Sequence, residues 1–93
     1  MDALVVGNRP LRKSIIELSK NKLIVAADGG ADRLLEYEIF PDKVIGDLDS
    51  ISNKTATKLE DWLILNKDIQ KTDLEKAVEY AIERGSKKIQ IVG

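Results

Sequence analysis

Residues 23–30 read Leu23-Ile24-Val25-Ala26-Ala27-Asp28-Gly29-Gly30, five consecutive apolar residues closed by an acid and two glycines. A strand with one face in water alternates apolar and polar residues. An unbroken run stopped by Asp and Gly reads instead as a short strand buried on both faces. The pattern recurs: Ala3-Leu4-Val5-Val6 ends at Gly7-Asn8, Lys43-Val44-Ile45 at Gly46-Asp47, and Ile89-Gln90-Ile91-Val92 at Gly93, with Leu63-Ile64-Leu65 a weaker version. Between these runs the apolar spacing turns helical. Pro10 takes a first-helical position ahead of Leu11, Ile15 and Leu18. Ala31 to Tyr37 gives a short helix burying Leu34 and Leu35, stopped by Phe40-Pro41. Ser52 caps a helix from Asn53 to about Asp61, with Ala56, Leu59 and Leu63 inward. The clearest helix spans Asp73 to Arg84, with Leu74, Ala77, Val78, Ala81 and Ile82 on one face and Gly85 at its end. Strands alternating with crossover helices predict an α/β fold, an open three-layer parallel sheet of Rossmann-like type, as one domain over residues 1–93. The strand at 89–92 looks central but has no helix after it, so the sheet is expected to be incomplete, the front portion of a domain.

Composition narrows the chemistry. The 93 residues contain no Cys and no His, which removes Cys and His nucleophile/base pairs, Ser-His-Asp triads and His- or thiolate-ligated metals. What remains is carboxylates, Lys, Arg, hydroxyls, backbone amides and a hard metal ion. With 15 Lys and Arg against 16 Asp and Glu, no global field recruits nucleic acid or an acidic membrane. Aromatic residues make up 4%, leaving Tyr37, Phe40, Trp62 and Tyr80 as the whole stock for base stacking, and Trp62 reads as core. No apolar run reaches the roughly 20 residues that span a bilayer, and Asp2 is unlike the basic start of a signal peptide, so the cytoplasm is the expected compartment.

Ligands of open α/β sheets bind beyond the carboxyl ends of the strands. Asn8-Arg9, Asp28-Gly29-Gly30-Ala31-Asp32 and Gly46-Asp47-Leu48-Asp49-Ser50 all lie there, and Lys71-Thr72-Asp73 opens the best helix. Asp47 and Asp49, at i and i+2, project from one side of an extended backbone and suit Mg²⁺, which takes oxygen ligands and keeps substrate phosphates in its shell. A polar turn in which one Asp caps the following helix explains the pair equally simply. Gly29-Gly30 is either a turn or bare backbone against which a nucleotide lies. Neither a Gly-x-Gly-x-x-Gly fingerprint nor a Walker A loop is present. Thr72-Asp73-Leu74-Glu75 fits a capping box, which accounts for Thr72 and Glu75 without any ligand. Lys71 is left over: a cation ahead of a helix N-terminus opposes the dipole unless an anion such as a triphosphate occupies the space.

Taken in order, Ala27-Asp28-Gly29-Gly30-Ala31, Gly46-Asp47-Leu48-Asp49-Ser50-Ile51 and Lys71-Thr72-Asp73-Leu74-Glu75-Lys76-Ala77 resemble the motif series of the thiamine pyrophosphokinase family, and Leu4-Val5-Val6-Gly7-Asn8 with Pro10-Leu11 is similar to its first strand and loop. The resemblance implies Mg²⁺-dependent transfer of the terminal diphosphate of ATP to the hydroxyethyl oxygen of thiamine, giving AMP and thiamine diphosphate. It further implies that Asp47, Asp49 and Asp73 bind Mg²⁺ and carry the catalysis. Asp28, Gly29 and Gly30, with Asn8 and Ser50, would lie beside the nucleotide, and Lys71 and Thr72 beside its phosphates. The third motif departs from the family pattern: of Asp68, Ile69 and Gln70, only Asp68 looks familiar. Family members also continue with a Gly-Gly-Arg and Asp-His motif, more α/β structure and a β-sandwich that completes the thiamine site between subunits, which implies a homodimer for the full-length protein.

Three other readings compete. The archaeal-type 6-hydroxymethylpterin diphosphokinases share a similar Gly-Asp-Leu-Asp motif, although Ser50 and Lys71-Thr72-Asp73 favour thiamine. Glycosyltransferases also place Asp-x-Asp after a strand, but give no role to Asp28-Gly29-Gly30 or Lys71-Thr72-Asp73. A non-catalytic Mg-nucleotide-binding fragment is the third.

Overall fold

Five parallel strands lie in the order β4-β3-β2-β1-β5 in a computed structural model that describes residues 1–93. They are β1 (Ala3–Val6), β2 (Leu23–Ala27), β3 (Lys43–Gly46), β4 (Leu63–Leu65) and β5 (Ile89–Val92), with α1 (Ile15–Leu18), α2 (Gly30–Leu35), α3 (Asn53–Lys58) and α4 (Asp73–Glu83) between them. In register, Val5 sits opposite Val25 on one side and Ile91 on the other. The unbroken apolar runs have the predicted cause. Leu4, Val6, Ile24, Ala26 and Val44 point to one face, where Ile15, Ala31, Leu34 and Leu59 cover them. Ala3, Val5, Val25, Ala27 and Ile45 point to the other, against Ala77 and Ala81 of α4. The result is three layers, with α1 to α3 on one side of the sheet and α4 alone on the other.

Chain order decides where the open crevice lies. From β1 the chain steps outward through β2 and β3 to β4, then returns by α4 across the sheet to β5 on the far side of β1. The reversal falls between β1 and β5, so the loops after the strands diverge there.

The capping signals of α3 and α4 hold. Ser52 Oγ accepts the Thr55 N–H at 3.2 Å, capping α3. Thr72 and Glu75 form the reciprocal capping box of α4, each side chain accepting the other's backbone N–H at 3.1 Å. At the far end Ser86 N–H donates to Ala81 O and Gly85 N–H to Ile82 O, the paired bonds of a Schellman stop, with Gly85 at φ +87°.

Several expectations fail. Pro10 starts no helix, and α1 begins only at Ile15. In α3 the buried position is Thr55 rather than Ala56, and the helix gives way after Lys58 to a 3₁₀ turn at Glu60–Trp62. Trp62, on that turn beside edge strand β4, is 42% exposed rather than core. Ile82 is 58% exposed, since α4 presses on the sheet through its small residues Ala77 and Ala81. Finally, β5 is an edge strand with Ile91 half exposed, not a strand buried on both faces.

Candidate functional site

At the carboxyl end of β2, Asp28 adopts a left-handed conformation (φ +45°) and is 3% exposed. Its carboxylate does not cap α2, whose N-cap is Gly29 without a side-chain bond. It reaches across to the loop after β3, where Oδ1 accepts the Ile51 N–H at 2.9 Å and the Ser50 N–H at 3.2 Å, and Oδ2 accepts the Asp49 N–H at 3.1 Å. One buried side chain therefore sets the path of the Asp-x-Asp loop. That loop is strained at its centre, with Leu48 at φ +63°, so Asp47 and Asp49 depart from the extended geometry expected for them.

Asp73, the first residue of α4, comes to the same place from the opposite layer. Its Oδ1 accepts the Asp47 N–H at 3.3 Å, and its carboxylate lies over Gly46 so closely that a Cβ there would stand 2.8–3.1 Å from it. Glycine before the acidic pair is thus required by the approach of Asp73, at a φ of +147° that suits glycine. One carboxylate oxygen from each of Asp28, Asp47, Asp49 and Asp73 lies within 4.8 Å of the others.

Within this cluster Asp28 and Asp47 are shifted in opposite directions. Burial pushes the Asp28 carboxyl up to about 6, with the facing Asp47 adding to the rise. Asp47 moves the other way, held below the usual range by its hydrogen bonds with Asp49 and then Asp28. The donor set is all oxygen, with Asp47 and Asp49 exposed, Asp73 half-buried and Asp28 buried, which fits a hard divalent cation such as Mg²⁺ and not a soft one.

Two clefts flank Asp73. One, of about 230 Å³, sits at the β1/β5 reversal and is lined by Asn8, Arg9, Asp28, Ser50, Asp73 and Gly93 among others. The other, of about 320 Å³, is lined by Asp47, Asp68 and Asp73 facing Lys67, Lys71 and Lys76.

The remaining expected residues divide. Ser50 donates its hydroxyl to Asp49 Oδ1 at 3.2 Å and belongs to the cluster. The bareness of Gly29 and Gly30 is taken up by packing: a Cβ on Gly29 would meet the Asn8 side chain, and one on Gly30 the Val6 carbonyl. Asn8 in turn accepts from Arg33 Nε at 3.3 Å. Thr72 is spent on its cap, and the charge of Lys71 is met by Glu79, 2.6 Å away, which raises the Lys71 ammonium above its ordinary value. The residue that sequence reasoning missed is Lys76. Its ammonium is buried, donating to Asn66 O at 2.6 Å and to Asp73 Oδ1 at 3.2 Å. Its place on the inner side of α4, three residues after Asp73, is the signal that was available.

A family model described as thiamin pyrophosphokinase, catalytic domain, matches residues 16–93. Among solved structures the chain is similar to a thiamin pyrophosphokinase from Candida albicans, with 29% identity and a TM-score of 0.76 over 90% of this chain and 34% of that one. It is also similar to one from Geobacillus thermodenitrificans, with 29% identity and a TM-score of 0.71 over 98% of this chain and 46% of that one. A probable thiamine pyrophosphokinase from Staphylococcus saprophyticus subsp. saprophyticus is 34% identical, with a TM-score of 0.73 over 100% of this chain and 49% of that one. The chain thus spans between a third and a half of the length of these structures. No curated protein matches it by sequence.

Proposed function

The chain belongs to the thiamin pyrophosphokinase family, and on that premise we propose that its acidic cluster binds Mg-ATP and serves transfer of the terminal diphosphate to the hydroxyl of thiamine. The observation that carries this reading is the convergence of Asp28, Asp47, Asp49 and Asp73 from three separate loops and both layers around a single point. Asp47, Asp49 and Asp73 would hold Mg²⁺, with Asp28 behind them. Bound there, Mg²⁺ supplies positive charge against the triphosphate and the charge that builds on the leaving phosphate.

In the reaction the hydroxyl oxygen of thiamine forms a bond to the β-phosphorus, the bond from that phosphorus to the oxygen of the α-phosphate breaks, and AMP leaves with the electron pair. The chain's own residues supply orientation and a proton acceptor. Asp28 commits both oxygens to backbone amides, and Asp73 Oδ1 is held by Asp47 N–H and Lys76. Asp47, Asp49 and Asp73 each keep one oxygen free of protein donors, and one of these three takes the hydroxyl proton. Lys67 and Lys71, with the N-terminus of α4, line the cleft in which phosphates would lie. A release of Lys71 from Glu79 on phosphate binding fits their exposed positions.

The test is incubation with Mg-ATP and thiamine, following AMP release, alongside titration with Mg-ATP and Mg-AMP. AMP release matched by thiamine diphosphate supports the transferase. Nucleotide binding without turnover supports a binding fragment. Absence of nucleotide binding contradicts both.

A further inference from the structure

Lys76 is the one basic residue among the buried positions, 4% exposed. Burying an ammonium costs free energy that a single carboxylate seldom repays, and an apolar side chain of the same length commonly serves stability as well or better. Its position is therefore informative. Nζ donates to Asn66 O at 2.6 Å and to Asp73 Oδ1 at 3.2 Å. Asn66 is itself tied to the end of β3, through its N–H to Gly46 O at 2.7 Å, and its Oδ1 accepts the Asp68 N–H at the start of the loop leading to Lys71. Lys76 thus joins three parts of the cleft: the β3 end that carries Gly46 and Asp47, the Asn66–Lys71 loop, and Asp73 on its own helix.

The effect on Asp73 is specific. Asp47 N–H and Lys76 Nζ both fall on Oδ1, leaving Oδ2 free of protein donors. With Gly46 packed beneath the carboxylate, the side chain has one orientation, toward Asp28, Asp47 and Asp49.

Resting on the Mg²⁺-binding reading above, we propose that Lys76 is a positioning residue that aims Asp73 at the acidic cluster and raises its affinity for a divalent cation, acting through its bonds to Asp73 and the Asn66 carbonyl. The sign of the effect separates this from simple electrostatics. Removing a positive charge beside a cation site should tighten binding if charge alone matters. Removing a partner that orients a ligand should weaken it, typically by about 10-fold to 100-fold.

The test is calorimetric titration of Mg²⁺ into the 93-residue chain and its Lys76→Met and Lys76→Arg variants, with the melting temperature of each measured alongside. The expected result is a roughly tenfold or greater loss of Mg²⁺ affinity in Lys76→Met while the chain stays folded, with partial recovery in Lys76→Arg. If Lys76→Met does not fold, Lys76→Gln, which keeps a donor for the Asn66 carbonyl without the charge, carries the same expectation. Equal or tighter Mg²⁺ binding in the folded variant overturns the role given to Lys76 while leaving the cation site standing. Failure of the parent chain to bind Mg²⁺ saturably overturns the site and, with it, the role of Lys76.

Discussion

The carboxylate of Asp28 accepts the backbone N–H of Ile51 at 2.9 Å across 23 residues of sequence, and this bond, with those from Asp49 and Ser50, determines where the Asp-x-Asp loop runs. Asp28 and Asp49 therefore belong to one cluster but have different work, and substitution should separate them. Asp28→Ala leaves the Ser50 and Ile51 N–H groups without an acceptor and Asp49 N–H with only its longer bond to Asp47, and should cost about 1–3 kcal/mol of stability in urea denaturation. Asp49→Asn removes one of several crowded like charges, so the denaturation midpoint should stay where it is while metal-dependent nucleotide affinity is lost.

The pH dependence of stability follows from opposed shifts. Asp28, raised from 3.8 to about 6, binds its proton more tightly in the folded state, so its contribution is complete below 3.8 and lost as the pH rises through about 6. Asp32 behaves oppositely. Burial acts to raise it, but hydrogen bonds from Thr55 Oγ1 and Ser52 outweigh that and hold it below 3.8. Its contribution is present above 3.8 and lost as the pH falls through the lowered value. The ion-free chain should lose stability between about pH 4 and 6, and Asp28→Asn should flatten that decline. Thermal melts across this range check both statements.

Two glycines with positive φ distinguish strain from collision. Gly85→Ala adds a Cβ that meets nothing within 4 Å, so only the left-handed backbone is penalised, at about 1–2 kcal/mol. Gly46→Ala adds the same kind of penalty and also drives a Cβ into the Asp73 carboxylate. It should destabilise by more than Gly85→Ala, and unlike Gly85→Ala it should abolish Mg²⁺ binding in calorimetry.

At the start of α4, neighbouring residues should give opposite phenotypes. Thr72→Ala breaks the capping box and should cost about 1 kcal/mol in chemical denaturation. Lys71→Ala removes an exposed ion pair with Glu79, which adds little to stability, and should instead weaken binding of the ATP phosphates.

Much of this was legible in the sequence, for identifiable reasons. Runs such as Leu23–Ala27 declare strands covered on both faces, and the capping box and Gly85 fix both ends of α4. Asp28, Asp47 and Asp49 could be named because strand ends collect polar residues where an α/β sheet binds ligands, whereas Asp73, at a helix start, was picked out only by the resemblance of its motif. Their division of labour was not legible. Asp28 looks like a local cap, but its partners lie 21 to 23 residues away, and only the pairing of β2 with β3 brings them together. Lys76 looks like one more surface lysine on an amphipathic helix; its burial depends on where Asn66 falls after β4. Trp62 and Ile82 misled because apolar character says nothing about which strand lies at an edge or how closely two alanines draw a helix down.

The central claim, that the four-carboxylate point is a Mg-nucleotide site, is tested most directly by titrating ATP into the 93-residue chain with Mg²⁺ present and again with Mg²⁺ chelated. Saturable binding that disappears on chelation is the predicted result. Equal affinity in the two titrations, or no binding in either, would contradict it.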